Sequence, residues 1–208
     1  SYLQDRKQIV DIAGSYFKEA TTNIGVPQGS VLGPLLFLIY INGLPTNLSL
    51  SKCILYADNT TIFYSNRCVS TLISNLNEDL LKICTWCELN MLQINHSKTN
   101  FVIFTSHQRS SNFYPVISIN NHIISPVDHC TFLGVELDCH LKFHLHVSNV
   151  KKKMAYGIRV LIKARLHFSF STLISLYYAF VHSHLNCNIE SWGNTYNSHL
   201  TSLQAIQN

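Results

Sequence analysis

Ten residues near the N-terminus, Gly25-Val-Pro-Gln-Gly-Ser-Val-Leu-Gly-Pro34, constrain this fold more than any other stretch of the chain. Three glycines and two prolines in ten positions exclude both a regular helix and a central strand. The run that follows, Leu35-Leu-Phe-Leu-Ile-Tyr-Ile41, is continuously apolar. Pro34 suits the first turn of a helix, where its missing N–H would have no intrahelical partner anyway. The pattern therefore predicts a loop over residues 23–34 that delivers a helix ending near Ile41, where Asn42-Gly43 and Pro45 stop it. A helix apolar on all sides is expected to be buried.

Other elements follow from periodicity. Residues 7–12 read as a strand. Residues 53–56 and 60–64 read as two strands of a hairpin, joined by a tight polar turn at Ala57-Asp58-Asn59. Leu72, Leu76, Leu80, Ile83, Cys87 and Met91 recur at threes and fours, which predicts an amphipathic helix over residues 71–91. Strands are expected at 101–105, 116–119, 123–125 and 131–137, with a turn at Asn120-Asn121. Beyond Asp138 the pattern is helical only: 144–166, then 172–184 with Ser171 as N-cap, then a helix beginning at Leu200. The expected fold class is α+β, with a mixed body over residues 1–138 and an all-helical region over 139–208.

Composition adds a charge asymmetry. The net charge of +4 combines a body with eight Lys/Arg against ten Asp/Glu and a tail, residues 139–208, with seven Lys/Arg against Glu190 alone. A basic tail suits a polyanionic partner, and a solvated helix face has the same composition. Charged residues are only 12% of the chain and hydrophobic ones 47%, so the chain has much to bury or lacks a partner that would cover part of it. Seven scattered cysteines and no leader-like segment point to reduced thiols and an intracellular protein. No apolar run is long enough to cross a bilayer, so no membrane partner is expected.

The motifs resemble the central motifs of reverse transcriptases, in the form carried by non-LTR retrotransposons of the jockey and CR1 types. The resemblance rests on Gly25 to Phe37, then Leu55-Tyr56-Ala57-Asp58-Asn59-Thr60. It continues through Trp86, Asn95-His-Ser-Lys98-Thr99, Phe132-Leu133-Gly134 and Ser191-Trp192-Gly193. It covers almost the whole chain, and the opening Tyr2 to Val10 fits the stretch between the family's first and second motifs.

The resemblance implies a palm-type antiparallel sheet with helices, followed by a helical thumb. It also implies phosphoryl transfer assisted by two Mg²⁺ or Mn²⁺ ions, with dNTP, RNA template and DNA primer as partners. Asp58 corresponds to the hairpin's metal-binding aspartate; alone, it would read as an ordinary turn residue. Asn59 stands where the family usually has a second aspartate, and an amide brings no charge to a dication.

Pro27, Gln28 and Gly29, with Tyr56 and Ala57, correspond to the nucleotide- and template-binding surface, and Lys98 to the lysine beside the triphosphate. Phe132, Leu133 and Gly134 correspond to the primer grip. Lys151, Lys152, Lys153, Arg159, Lys163 and Arg165 correspond to the thumb's contacts with the nucleic-acid backbone. Neither Asp5 nor Asp11 sits in anything resembling the family's first catalytic motif. The chain is therefore expected to be a partial polymerase, without fingers, inactive alone, and prone to self-association through the palm surface that missing fingers would leave exposed. The alternatives are a non-catalytic nucleic-acid-binding or interaction protein of the same descent, and a longer polymerase of which these residues are one part.

Two other constellations stand apart from these motifs. Cys84 and Cys87 fall on the apolar side of the predicted helix, where packing is the simpler reading than zinc or redox chemistry. Cys139, His140, His144 and His146 are close enough in sequence to share a metal, although histidines in such a helix also occur without one.

Overall fold

The computed structural model describes residues 2–23, 25–106 and 115–207. Residues 24 and 208, which fall in the expected loop and the expected last helix, lie outside the described residues. The chain divides into two compact units: Ser1–Ile94 with Ile117–His122, and Asn95–Val116 with Ile123–Asn208. Both units mix helices with small antiparallel sheets, so the class is α+β as expected. The described strands pair only two by two, in five sheets.

The first unit opens with a long, interrupted hairpin. The strand expected over residues 7–12 is split into β1 (Arg6–Gln8) and β2 (Asp11–Ile12). These pair with β4 (Ala20–Thr22) and β3 (Ser15–Tyr16) respectively. The reversal occurs at Ala13-Gly14, both with positive φ, as a two-residue type I′ turn requires. The Asp11 carboxylate accepts the Gly14 N–H at 3.0 Å.

Helix α1 (Leu32–Ile41) begins where the proline predicts. After a 3₁₀ turn at Pro45–Asn47 come β5 (Lys52–Tyr56), β6 (Asn59–Phe63) and α2 (Val69–Leu89). Ile41, Leu44, Ile83 and Cys87 form the core, against which Phe37, Cys53, Leu55, Ile62 and Trp86 pack. One core thus ties α1, the β5–β6 hairpin and α2 together.

The expectation that α1 is buried is wrong. Only Gly33 and Ile41 are buried in it, whereas Leu32, Leu35, Leu38 and Ile39 are 47%, 54%, 49% and 66% exposed. Phe37 and Ile41 meet the core on one face, and among the described residues nothing covers the other.

Cys84 and Cys87 sit in α2 with both thiols buried, and burial pushes both pKa values up, as inert core cysteines require. Strand β7 (Ile117–Ile119) packs on the same helix, and the Asn77 side chain accepts the Ser118 N–H at 3.2 Å. The chain turns at Asn120-Asn121, both at positive φ, into β8 (His122–Ile124).

In the second unit, no strand forms over residues 101–105. Phe101 makes only an isolated parallel bridge to Pro126, so the β-branched composition there is not matched by a partner strand. The single strand expected at 131–137 is instead two, β9 (His129–Phe132) and β10 (Val135–Asp138), reversed at Leu133-Gly134. Helix α3 (His144–Ala164) follows.

The next helix, α4 (Phe170–Tyr177), is capped by Ser169, whose hydroxyl accepts the Thr172 N–H. Ser171, the expected cap, already lies inside the helix. A π-helical segment, Tyr178–His182, leads to α5 (Ser183–Asn186), α6 (Ile189–Trp192) and α7 (Asn197–Gln207). The core is Val135, Val147, Val150, Met154, Val181, Trp192 and Leu203.

Trp192 is fully buried and donates its indole N–H to the Cys187 carbonyl at 2.9 Å. His146 stacks edge-on against it, ring centroids 5.2 Å apart, and accepts the Glu136 N–H through Nδ1. Burial pushes the His146 pKa below its ordinary value. Among the described residues no helix is long and apolar enough to cross a membrane.

Candidate active site

The β5–β6 hairpin carries the central residue. Its register pairs Tyr56 with Asn59, leaving Ala57 and Asp58 as a two-residue turn. Asn59, expected in the turn, is therefore the first residue of β6. The carboxylate of Asp58 is exposed at the tip, and Tyr56 is exposed beside it.

Ala57 has φ +52°, a left-handed conformation that two-residue hairpin turns normally assign to glycine or asparagine. This conformation costs an L-residue about 1–2 kcal/mol. An Ala57→Gly exchange removes that cost and returns part of it as unfolded-chain entropy. The expected net result is a gain of about 0.5 kcal/mol in a urea titration. A loss of stability would show that the turn is unstrained.

The glycine-rich segment forms a second tight turn. The Ser30 N–H bonds the Pro27 carbonyl at 3.2 Å, with Gln28 and Gly29 at the corner. Gly29 has φ +79°, as the third residue of a type II turn demands. The Ser30 hydroxyl accepts the Gly33 N–H and so ties the turn to the start of α1. Arg6 holds the other end, donating to the Gly25 carbonyl at 2.8 Å. Pro27, Gln28 and Gly29 are thus anchored to the helix that shares its core with the Asp58 hairpin.

The remaining candidates belong to the second unit. Lys98 ends a 3₁₀ turn, His96–Lys98, capped by the Asn95 side chain, and is exposed. Phe132 is half-buried, and Leu133 and Gly134 are the two turn residues of the β9–β10 hairpin. Asn188, which no motif marks, donates its side-chain amide to the Leu133 carbonyl at 2.9 Å and holds that tip.

Lys151, Lys152, Lys153, Arg159 and Lys163 are exposed on α3, and Arg165 caps it. Spacings of seven and four place Lys152, Arg159 and Lys163 along one line of the helix, with the exposed ring of Tyr156 between them. Among the described residues none of the six cations is drawn into an ion pair.

Sequence motifs also miss Asp79. It is fully buried in α2, and its carboxylate accepts three successive backbone N–H groups, from Ser49 (3.2 Å), Leu50 (3.0 Å) and Ser51 (2.6 Å). Burial alone would push the carboxyl up. The N–H groups of Ser49, Ser51 and Leu50 outweigh it and hold the pKa at about 2. The helical phase does carry this signal: Asp79 lies four residues before Ile83 and three after Leu76, on the apolar side. A carboxylate there must be paired.

Two divalent ions need several close carboxylates. Among the described residues no three His, Cys, Asp or Glu side chains group in a way that could hold a metal ion, and this includes Cys139, His140, His144 and His146. Asp58 and Asn59 by themselves therefore do not fit a two-metal centre.

Residues 2–137 match the family model described as reverse transcriptase (RNA-dependent DNA polymerase). This chain belongs to the reverse transcriptase family. It is 29% identical over 215 residues to the probable RNA-directed DNA polymerase from transposon X-element of Drosophila melanogaster. It is 30% identical over 218 residues to that from transposon BS of the same organism. The RNA-directed DNA polymerase from mobile element jockey, also from Drosophila melanogaster, is 27% identical over 219 residues. All three alignments cover 100% of this chain but only 23%, 24% and 23% of the relatives, so the chain spans about a quarter of their length. No solved structure matches the chain.

Proposed function

We propose that these 208 residues are the partial palm (1–138) and thumb (139–208) of an RNA-directed DNA polymerase of a non-LTR retrotransposon. The observation that carries the proposal is the family match over residues 2–137, together with a turn that lifts Asp58 clear of β5 and β6. In the whole enzyme the substrates are dNTP, an RNA template and a DNA primer, and the ions are Mg²⁺ or Mn²⁺.

Asp58 is the carboxylate that this chain contributes to the reaction, and Asn59 is a neutral neighbour. The Gln28-Gly29 corner presents backbone to the templating base and nucleotide, and Tyr56 and Ala57 belong to the same binding surface. Lys98 serves the triphosphate, and the Phe132-Leu133-Gly134 turn holds the primer end. The line of Lys152, Arg159 and Lys163, flanked by Lys151, Lys153 and Arg165, follows the phosphates of the duplex without reading its sequence. The uncovered face of α1 is a surface for self-association. With one carboxylate and no second aspartate, the chain does not transfer nucleotides by itself. Asn59 also favours a second reading, in which a descendant of this enzyme retains nucleic-acid binding without chemistry.

Fluorescence anisotropy with an RNA–DNA hybrid tests the binding. Affinity is expected to fall steeply between about 50 and 200 mM salt, alike for unrelated sequences. Replacing Lys152, Arg159 and Lys163 with alanine should reduce the log–log salt slope by about 3. A chain with no affinity for the hybrid, or a slope unchanged in the triple variant, would sink the thumb reading. Primer extension by the chain alone would sink the single-carboxylate reading.

A further inference from the structure

We propose that Asp79 is a positioning residue for the Asp58 hairpin: it grips the backbone at residues 49–51 and so fixes where β5 starts and where its tip points. The inference rests on the polymerase reading only in giving that tip a purpose.

The hairpin has few other restraints. Its two strands pair only with each other among the described residues. One face, through Cys53, Leu55 and Ile62, packs on the core, while Ile54, Tyr56 and Phe63 on the other face are exposed. Immediately before β5, three consecutive N–H groups converge on one buried carboxylate. Lys82 closes the arrangement, with its ammonium 3.0 Å from the Ser49 hydroxyl, 2.8 Å from Glu78 and 3.3 Å from Asp79. Because Asp79 and Lys82 lie in α2, the clamp references the start of β5 to the helix whose Ile83 and Cys87 pack in the same core.

Leverage makes the clamp matter. Ser51 and Ala57 are six residues apart in an extended hairpin, or about 20 Å at roughly 3.3 Å per residue. A tilt of about 10° at the base would carry the tip about 3.5 Å, against a tolerance of roughly 0.5 Å for groups that must meet reacting atoms. A catalytic carboxylate on so long an arm needs its base fixed. A charged acceptor held below the ordinary carboxyl range keeps its grip at any pH at which a polymerase would work. The sign follows from the lowered pKa: protection of the three amides is full above about pH 4 and is lost as pH falls through about 2.

Amide NMR and hydrogen exchange on the 208-residue chain test this. In Asp79→Asn, exchange at Ser49, Leu50 and Ser51 should rise about tenfold or more, and the Ala57 and Asp58 resonances should move with them. Leu76→Ala, on the same helix, should lower stability while leaving those five signals in place. If Asp79→Asn does not fold, Lys82→Met removes the paired ammonium and should shift the same amides in the same direction by less. Released loop amides with an unmoved tip would overturn the positioning role, as would tip signals that respond equally to Leu76→Ala. The measurement needs neither template nor metal. Its failure therefore leaves the polymerase reading standing, and loss of hybrid binding leaves the clamp standing.

Discussion

Replacing Gly157 with alanine is expected to destabilise the second unit by about 2 kcal/mol or more, although alanine is the better helix former. Helix α3 crosses the π-helical segment at this residue. A Cβ built on Gly157 lies 2.4 Å from the Phe180 carbonyl oxygen, 3.0 Å from its carbon and 2.9 Å from the Val181 side chain. Two of these neighbours are backbone and cannot rotate away. Val181 is fully buried in the core beside Met154, so α3 and the 178–182 segment would have to separate. The roughly 1 kcal/mol gained in helix propensity is smaller than the cost of opening a packed contact. Thermal or urea unfolding should show a clear downward shift. Gly43→Ala is the internal control, because its Cβ would meet the Trp86 ring at 3.7 Å, an ordinary van der Waals distance. Equal behaviour of the two variants would mean that the crossing is looser than described.

Whether an element could be read in advance depended on whether its cause was local. Pro34, the glycines before it and the threes-and-fours of α2 are local causes, and those elements lie where expected. Asn120-Asn121 was readable as a turn because asparagine tolerates positive φ. Composition marks the turns at Ala13-Gly14 and Leu133-Gly134 less plainly, because alanine and leucine adopt positive φ only when the flanking strands impose it. Ser169 and Ser171 are equivalent caps by composition, and the helix takes Ser169, whose hydroxyl accepts the Thr172 N–H.

The candidate site divides the same way. The turn that holds Asp58 is legible as a tight polar stretch between two strand-like runs, and its two-residue length follows from strand register. Asn188 was not legible, since its bond to the Leu133 carbonyl spans 55 residues. Asp79 was legible in principle from its helical phase, yet its partners are three main-chain groups about thirty residues upstream, which no side-chain pattern records.

The error over α1 leads to the second large effect: the chain is expected to self-associate at micromolar concentration, and three substitutions should abolish this. An apolar helix predicts burial only if something is present to bury it. In α1 the face carrying Phe37 and Ile41 has the core, while Leu35, Leu38 and Ile39 face solvent together with Leu32. Covering such side chains is worth on the order of 1.5–3 kcal/mol each when complete. Even partial burial of four of them against another molecule rivals the cost of association.

Leu35→Lys, Leu38→Lys and Ile39→Lys should convert oligomers to monomer in size-exclusion chromatography with light scattering. Lysine is nearly as good a helix former as leucine, and the three side chains are about half exposed or more, so the unfolding midpoint should hardly move. Phe37→Lys, by contrast, places a charge against the core of Ile41, Leu44, Ile83 and Cys87 and should unfold the first unit. A wild-type chain that runs as a monodisperse monomer would mean that this face is not adhesive. A triple variant that stays oligomeric would move the association to another surface, such as the unpaired strand edges of the β5–β6 hairpin, where Tyr56 and Phe63 are also exposed.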